Sequence, residues 1–204
     1  YTLLSKSEID KTSLEDLSLK IEDSLKYNDY EWNKEMRIKY RSNQKAKGVE
    51  QYIYACPKCS SLQTLYSKKN DIYCHKCGHI AKFNKHYILE GLNFDNLVSW
   101  DHLQKKILKK QDPNRSYHSS GMLYDIDLDI GRRTKIGYVD ASLDNEELVL
   151  SNKYYQKPFQ VKDINGLVLT QKNILSFDYL DDTFMIKMKD PMLFLDIINL
   201  YKGA

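Results

Sequence analysis

Cys56-Pro-Lys-Cys59 and, after fourteen further residues, Cys74-His-Lys-Cys77-Gly78 are the stretch that decides how this chain is built. All four cysteines of the chain lie in these two turns. Two Cys-x2-Cys pairs at this spacing bring four thiolates to the corners of a tetrahedron when two hairpin tips meet. The pattern therefore predicts a four-Cys zinc ribbon with Cys56, Cys59, Cys74 and Cys77 as metal ligands.

The predicted ribbon spans residues 51–90. Its strands are expected at Leu62–Tyr66 and Asp71–Tyr73, with Gly78 bending the backbone back toward the metal. Four thiolates leave no open coordination position, so the zinc is expected to be structural. An iron centre of the rubredoxin kind uses the same ligands and remains the alternative occupant. His75 and His79 are expected not to bind the metal, because four cysteines already fill its shell.

Composition excludes several function classes. Hydrophobic residues make up 42% and charged residues 29% of 204 residues, which is typical of a chain that folds around a core without disulfides. The net charge of +3 argues against a global attraction to nucleic acid or anionic lipid. No hydrolase nucleophile elbow, phosphate-binding glycine loop or dinucleotide fingerprint is present. Without a spanning apolar run or a leader, the expected location is cytoplasmic, including the inner face of the membrane as a peripheral protein.

Residues 1–50 are predicted to form a helical segment followed by a basic connector. The patterns Ser5-x-x-Glu8 and Thr12-x-x-Glu15 each fit a capping box, which predicts two short helices. Between residues 34 and 47, six Lys and Arg residues face one Glu, a local charge of +5. Such a run either contacts phosphates or forms a solvated surface, and the solvated surface is the preferred interpretation.

Residues 91–120 are predicted to form an amphipathic helix and a linker. Leu97, Trp100, Leu103 and Ile107 lie on one face of the helical pattern. Lysines lie on the other face, and residues 105–115 carry five Lys and Arg against one Asp, a local charge of +4. This helix is expected to pack on its own core with its lysines outward, although a basic amphipathic helix on a membrane has the same pattern.

Residues 121–204 are predicted to form a β domain that ends in a helix. Alternation of apolar and polar residues marks the extended segments. Seven strands are predicted, at Met122–Ile130, Lys135–Ser142, Glu146–Leu150, Pro158–Val161, Gly166–Thr170, Ile174–Tyr179 and Thr183–Met188. Asp190 and Pro191 supply the cap and first turn of the final helix. The predicted fold class is α+β, with a seven-stranded antiparallel, pleckstrin-homology-like β domain after the ribbon.

Several pieces of the sequence together resemble one family. They are Leu3–Ile9, Asp29–Trp32, Gly48–Glu50, the run from Tyr54 to Cys59, and Trp100 with the helix after it. These pieces are similar to the region downstream of the catalytic domain in bacterial 1-acyl-sn-glycerol-3-phosphate acyltransferase-like proteins of low-GC Gram-positive type. From Gly137 onward the chain resembles the pleckstrin-homology-like tail of such proteins, which ends in a helix.

The resemblance implies a non-catalytic accessory region of a phospholipid-synthesis enzyme. Since the chain begins with Tyr1 and not Met, an acyltransferase domain is expected before it. That family's signature is His-x4-Asp, in which the His activates the acceptor hydroxyl. The chain has five histidines, and none of them is followed by an Asp at the fifth position. No catalytic or cofactor-binding residue is therefore assigned in this chain. The implied partners are the acyltransferase domain and an anionic membrane surface at which the enzyme is positioned.

A nucleic-acid-binding zinc-ribbon protein is the alternative. Ribbons present lysines and aromatic residues to RNA or DNA. In this chain the corresponding surface is predicted to consist of Lys58, Lys68, Lys69, Lys76, Lys82 and Tyr66. A His-x4-Asp domain upstream favours lipid synthesis, and a start codon just before Tyr1 favours nucleic-acid binding.

Overall fold

The computed structural model describes residues 4–127, 130–144, 146–171 and 173–203. Its N-terminal half contains three helices, a four-stranded sheet and a fourth helix. They are α1 (Lys6–Ile9), α2 (Leu14–Leu25), α3 (Asp29–Met36), β1 (Leu65–Lys68), β2 (Asp71–Cys74), β3 (Gly78–Phe83), β4 (Leu89–Glu90) and α4 (Leu97–Leu108). Its C-terminal half contains a seven-stranded sheet and a helix. They are β5 (Tyr117–Asp127), β6 (Arg132–Asp144), β7 (Glu147–Asn152), β8 (Tyr155–Gln160), β9 (Ile164–Thr170), β10 (Ile174–Tyr179), β11 (Asp182–Met188) and α5 (Pro191–Lys202).

These elements confirm the predicted α+β class. In the seven-stranded antiparallel sheet, β5 to β8 and β9 to β11 form two meanders, and β5 joins them by pairing with β11. A register shift opposite Leu123 and Tyr124 bends the long β5–β6 pair, because a bulge increases local twist. The sheet curls around its own core, and α5 packs against it through Leu193, Phe194, Ile197 and Ile198. This is the predicted pleckstrin-homology-like arrangement of seven strands and a C-terminal helix.

The first strand of the β domain begins earlier than predicted. β5 starts at Tyr117, whereas the sequence pattern placed its start at Met122. The polar residues between them pair with the end of β6, so tertiary pairing outweighs their poor strand pattern. At Gly121, an added Cβ would collide with the carbonyl of Lys187 on β11, which explains the glycine in this strand. The predicted continuation of β5 through Leu128 and Asp129 lies outside the described residues.

Two corrections concern the N-terminal helices. At α1, the Ser5 amide donates to Glu8 Oε2 at 2.8 Å, as the capping box requires. At α2 the predicted cap, Thr12, is wrong by one residue, since the Asp16 amide donates to Ser13 Oγ at 3.1 Å. The helix α3 was not predicted, and its last turn extends into the predicted basic connector. Leu3, the first residue of the family resemblance, lies outside the described residues.

The ribbon strands differ in part from the predicted ones. β1 begins at Leu65 because Leu62 instead forms an isolated bridge with Ala55. The turn between β1 and β2 is reduced to Lys69 and Asn70, and Lys69 adopts a positive φ of 56°. The strands β3 and β4 extend the hairpin into a sheet of order β1-β2-β3-β4 and were not predicted.

Two buried clusters lie side by side and share one segment of chain. The ribbon core is formed by Ala46, Val49, Ile53, Cys56, Leu65, Ile72, Cys74, Ile80, Ala81, Phe83, Leu89 and Trp100. Between Ile53 and Cys56, the neighbouring Tyr54 and Ala55 belong to the β-domain core instead. Residues 53–56 therefore separate the two cores and contribute side chains to both.

Helix α4 connects the same two cores. Its buried Trp100 packs into the ribbon core, and Trp100 Nε1 donates to the Ala55 carbonyl at 2.9 Å. About two turns later, Ile107 and Leu108 pack into the β-domain core. The predicted apolar face of this helix is therefore divided between two partners.

Candidate metal centre

The four cysteines come from two tight turns that the ribbon sheet brings together. Cys56 and Cys59 lie in the turn that precedes β1, whereas Cys74 ends β2 and Cys77 directly precedes β3. The register pairs Cys74 with Leu65 on one side and with Gly78 on the other. As predicted, Gly78 has a positive φ, of 73°, and nothing lies near its missing side chain, so backbone conformation is the reason for glycine here.

All four sulfur atoms lie within 4.8 Å of one another. Cys56 Sγ is 3.9 Å from Cys77 Sγ, and Cys59 Sγ is 3.9 Å from Cys74 Sγ. Four sulfurs at about 2.3 Å from a tetrahedral ion are about 3.8 Å apart. These separations are far longer than a disulfide bond, and all four cysteines are free. The cluster could therefore hold one metal ion.

The four thiols differ in burial and acidity. Cys56 and Cys74 are buried, Cys77 is half-buried and Cys59 is exposed. Burial raises the pKa of Cys56 to about 12, whereas a hydrogen bond from the Ser61 side chain lowers the pKa of Cys59 to about 6. A metal ion binds thiolates and not thiols, so ion binding must displace the proton of Cys56, which is held firmly because of the raised pKa.

Groups around the sulfurs support negative charge. The Lys76 amide donates to Cys74 Sγ at 3.4 Å, and the Thr64 hydroxyl lies 3.3 Å from the same sulfur. The first turn is closed by the Ser60 amide, which donates to the Cys56 carbonyl at 2.9 Å. Such contacts orient ligands around an ion and stabilise their deprotonated form.

Both histidines near the cysteines are engaged elsewhere. The ring of His75 stacks on Tyr66, with centroids 4.5 Å apart. His79 Nε2 lies 3.0 Å from Asp71 Oδ1. Tyr73 continues this row, with its centroid 5.3 Å from that of Tyr66 and 5.2 Å from that of His79. The ribbon therefore carries a partly exposed aromatic row outside the sulfur cluster.

All five lysines of the predicted nucleic-acid surface are exposed, but two of them also make contacts within the ribbon region. Lys68, Lys76 and Lys82 are exposed. Lys69 forms the turn between β1 and β2 and uses its carbonyl to accept the Ala46 amide. Lys58 Nζ donates to the His79 carbonyl at 3.0 Å, so part of its bonding capacity serves the ribbon itself.

The two basic runs are largely exposed, but their first residues are ion-paired. Lys34 lies 2.8 Å from Glu31 and 2.9 Å from Asp95, which links α3 to the loop before α4. Lys105 lies 2.8 Å from Asp101. The remaining lysines of α4 and of the following turn point outward, as the predicted solvated face requires.

Polar contacts between the ribbon and the β domain were missed in the sequence pattern. Gln104 on α4 is fully buried, accepts the Tyr54 amide at 3.0 Å and donates to the Tyr52 carbonyl at 3.0 Å. The Tyr54 hydroxyl donates to Asp196 Oδ2 on α5 at 2.8 Å. The Asp196 carboxyl is buried, and the loss of hydration of its charged form raises its pKa above the ordinary value. Nothing in the sequence singles out these residues, since each partner lies far from the other along the chain.

None of the helices in the described ranges is long and apolar enough to cross a membrane.

No protein-family model and no curated protein matches this chain. Among solved structures, inner membrane complex sub-compartment protein 3 from Toxoplasma gondii is similar to part of it, with 16% sequence identity, 42% of this chain and 77% of that chain covered, and a TM-score of 0.30. A TM-score this low does not establish a shared fold. The assignment of the β domain therefore rests on its own strand order and C-terminal helix.

Proposed function

We propose that this chain is the non-catalytic, zinc-stabilised accessory region of a lysophosphatidic acid acyltransferase-like polypeptide that acts in phospholipid synthesis. The acyltransferase assignment rests on the resemblance in sequence, and one structural observation supports a rigid accessory role. The ribbon, α4 and α5 meet in a buried junction, in which Tyr54 bonds to both Gln104 and Asp196. A metal-stabilised ribbon joined in this way to the β domain acts as a rigid spacer that presents one face of the chain to a partner.

Zinc is the proposed occupant of the sulfur cluster. Four sulfurs at the spacing of a tetrahedral ion, two of them buried in the ribbon core, support a structural ion without an open position. Elemental analysis of chain purified under reducing conditions should find about one zinc per chain. Stoichiometric iron in place of zinc, or a folded and reduced chain without metal, would overturn this assignment.

The acyltransferase assignment depends on residues outside this chain, and two experiments test it. Sequencing the gene upstream of the Tyr1 codon should show a domain with the His-x4-Asp signature, and its absence would contradict the proposal. The isolated chain should give no turnover with an acyl-thioester donor and lysophosphatidic acid, because no base is provided for the acceptor hydroxyl. Turnover that stays with the chain through further purification would contradict a non-catalytic role.

Contact with an anionic membrane at the inner face is the second part of the proposal. The exposed Lys109 and Lys110 after α4 are candidates, since each lysine near an anionic surface contributes about 1 kcal/mol. Co-sedimentation with anionic vesicles at low ionic strength should be lost with neutral vesicles and with added salt. Alanine at both positions should weaken binding at least tenfold, whereas alanine at Lys187 and Lys189 of the β domain is the matched control. Equal binding to both vesicle types would exclude this contact.

The aromatic row on the ribbon favours single-stranded nucleic acid as a second candidate partner. Tyr66 is 38% exposed, and exposed lysines lie nearby in sequence. A base stacked on such a ring contributes about 1–3 kcal/mol. If this candidate is right, Tyr66→Ala should weaken oligonucleotide binding in an anisotropy titration, whereas Tyr154→Ala on the β domain should not. An accessory region that contacts only lipid and protein should not bind the oligonucleotide at physiological salt.

A further inference from the structure

A second site lies away from the sulfur cluster, between α3, the chain that follows it and the β3–β4 loop. It is a pocket of about 220 Å³. Three tyrosines, an asparagine, a histidine and an aspartate line it, namely Asp29, Tyr30, Asn33, Tyr40, His86 and Tyr87. These residues come from three separate stretches of sequence, so folding is needed to assemble them.

The tyrosine rings face one another at different angles. The Tyr40 and Tyr87 centroids are 5.7 Å apart and their planes are inclined by 56°. The Tyr30 and Tyr87 centroids are 6.3 Å apart and their planes are inclined by 23°. Phe83 stacks on Tyr87 at 4.5 Å and supports this ring from within the ribbon core. The result is a partial aromatic cage with one ring, Tyr40, 43% exposed.

Buried hydrogen bonds hold the walls of the cage in place. Asn33, only 3% exposed, donates from Nδ2 to the His86 carbonyl at 2.6 Å and accepts the Ile38 amide at 2.8 Å. His86 Nδ1 lies 3.1 Å from the Ile38 carbonyl. The Tyr40 amide donates to the Lys85 carbonyl at 2.8 Å. The cage is therefore preorganised, which reduces the entropic cost of binding.

The groups that remain available in the pocket are electron-rich. The Asn33 amide is already used, and Nδ1 of His86 faces the Ile38 carbonyl at 3.1 Å. Asp29 adds a carboxylate. Burial raises the pKa of Tyr30 and of Tyr87, so both rings are neutral and act through the negative potential of their faces.

We propose that this pocket binds an alkylated ammonium group such as the trimethylammonium of choline. Aromatic faces attract such cations, and an alkylated ammonium also buries apolar surface that an ordinary ammonium lacks. A pocket of this volume is smaller than those of drug-sized ligands and suits a compact head group. The proposal does not depend on the acyltransferase assignment, but it requires a folded ribbon, because Phe83 of the ribbon core supports Tyr87.

The test is a calorimetric titration of the zinc-loaded full chain with choline and with 3,3-dimethylbutanol, its neutral carbon analogue. Choline should bind at least about fivefold more tightly, since the cation–ring attraction is lost in the analogue. Equal affinity of the two, or no binding of choline at about 10 mM, would overturn the proposal. Vesicles with phosphocholine head groups then identify the source of the ammonium group. Retention of the chain on these vesicles, reversed by free choline, points to a lipid head group. Binding of free choline without retention on the vesicles points to a small molecule.

Substitutions at Tyr40, the most exposed ring of the pocket, test the proposal at a position where the fold is least affected. Tyr40→Leu should weaken choline binding about 5- to 30-fold, whereas Tyr40→Phe should preserve it because the ring face remains. Tyr154→Leu is the matched control, since Tyr154 is exposed on the β domain and does not line this pocket. Loss of binding in Tyr40→Phe equal to that in Tyr40→Leu would contradict a role for the ring face.

Discussion

The ribbon and the β domain are stabilised in different ways. Among the described residues, the ribbon sheet has strands of two to six residues, and two of its four cysteines, Cys56 and Cys74, are part of its buried cluster. In the β domain, strands of six to thirteen residues enclose a cluster in which Phe159 contacts both Phe177 and Phe184 with centroids 5.0–5.3 Å away. The ribbon takes two of the four clustered cysteines into its core, whereas the β domain encloses a larger core of apolar side chains alone.

From this difference we expect metal binding to stabilise the ribbon and apolar packing to stabilise the β domain. We propose that an ion bound by the four cysteines supplies part of the folding free energy of the short ribbon sheet. The β domain owes its stability to area removed from water. The junction of Tyr54, Gln104 and Asp196 couples the two regions but belongs to neither stabilising mechanism.

The largest expected effect follows from removing one ligand. Cys56→Ser should abolish tight zinc binding and unfold residues 52–83, because structural zinc contributes on the order of 10 kcal/mol to such folds. The seven-stranded sheet should persist. Calorimetric unfolding with metal analysis measures both effects, and Lys76→Ala, an exposed change within the second cysteine turn, should retain zinc and serves as the control. A Cys56→Ser protein with full zinc content would remove this cysteine from the ligand set.

The next effect should appear in the other region. Phe159→Ala deletes a fully buried ring and should lower the free energy of unfolding of the β domain by about 3–5 kcal/mol. Zinc content should stay at one per chain. Denaturant unfolding of the variant measures the loss, and a simultaneous loss of zinc would show that the ribbon depends on the β-domain core.

At the junction, a pH dependence is expected from Asp196. Burial raises its pKa in the folded state, so its protonated form is favoured by folding, and this contribution is lost as the pH rises from about 4 through the raised pKa. Relative to Asp196→Asn, the wild-type chain should therefore lose about 1.4 kcal/mol for each unit by which the pKa is raised. Urea unfolding of the two zinc-loaded proteins, followed by a signal from the β domain, measures this difference across pH 4–7. A difference that is constant with pH would contradict the assigned direction.

The smallest effect concerns the N-terminal helices, which contribute no side chain to the β-domain core. Ser13→Ala removes the hydroxyl that accepts the Asp16 amide and should destabilise α2 by about 1 kcal/mol. Thr12→Ala is the paired change, and it should cost less because Thr12 does not cap the helix. Amide exchange in α2 compares them, and a larger effect of Thr12→Ala would restore the original cap prediction.

Local patterns in the sequence were enough to predict most of the fold. The cysteine spacing predicted the sulfur cluster, and apolar alternation predicted the later strands of the β domain closely, with Ile174–Tyr179 matched at both ends. Where pairing with distant residues determines the structure, the pattern gave no signal. Polar residues from Tyr117 to Gly121 pair with β6 although they look like a linker.

The candidate sites divide in the same way. The four cysteines stand in recognisable pairs. The tyrosine pocket instead joins Tyr30, Tyr40 and Tyr87, which are up to 57 positions apart, and composition alone gave no reason to distinguish them among sixteen tyrosines. Asp196 was also missed, because it is buried on a face of α5 whose other residues are apolar. Such residues acquire a role only from the neighbours that folding brings to them.

Hydrogen exchange of the intact chain, with and without a zinc chelator, tests most directly whether metal stabilises the ribbon alone. We expect chelation to remove protection from the amides of β1, β2 and β3, while β10 and β11 keep theirs. Restoring zinc should restore the ribbon amides. Equal loss of protection in both regions, or a ribbon that stays protected without metal, would contradict the account.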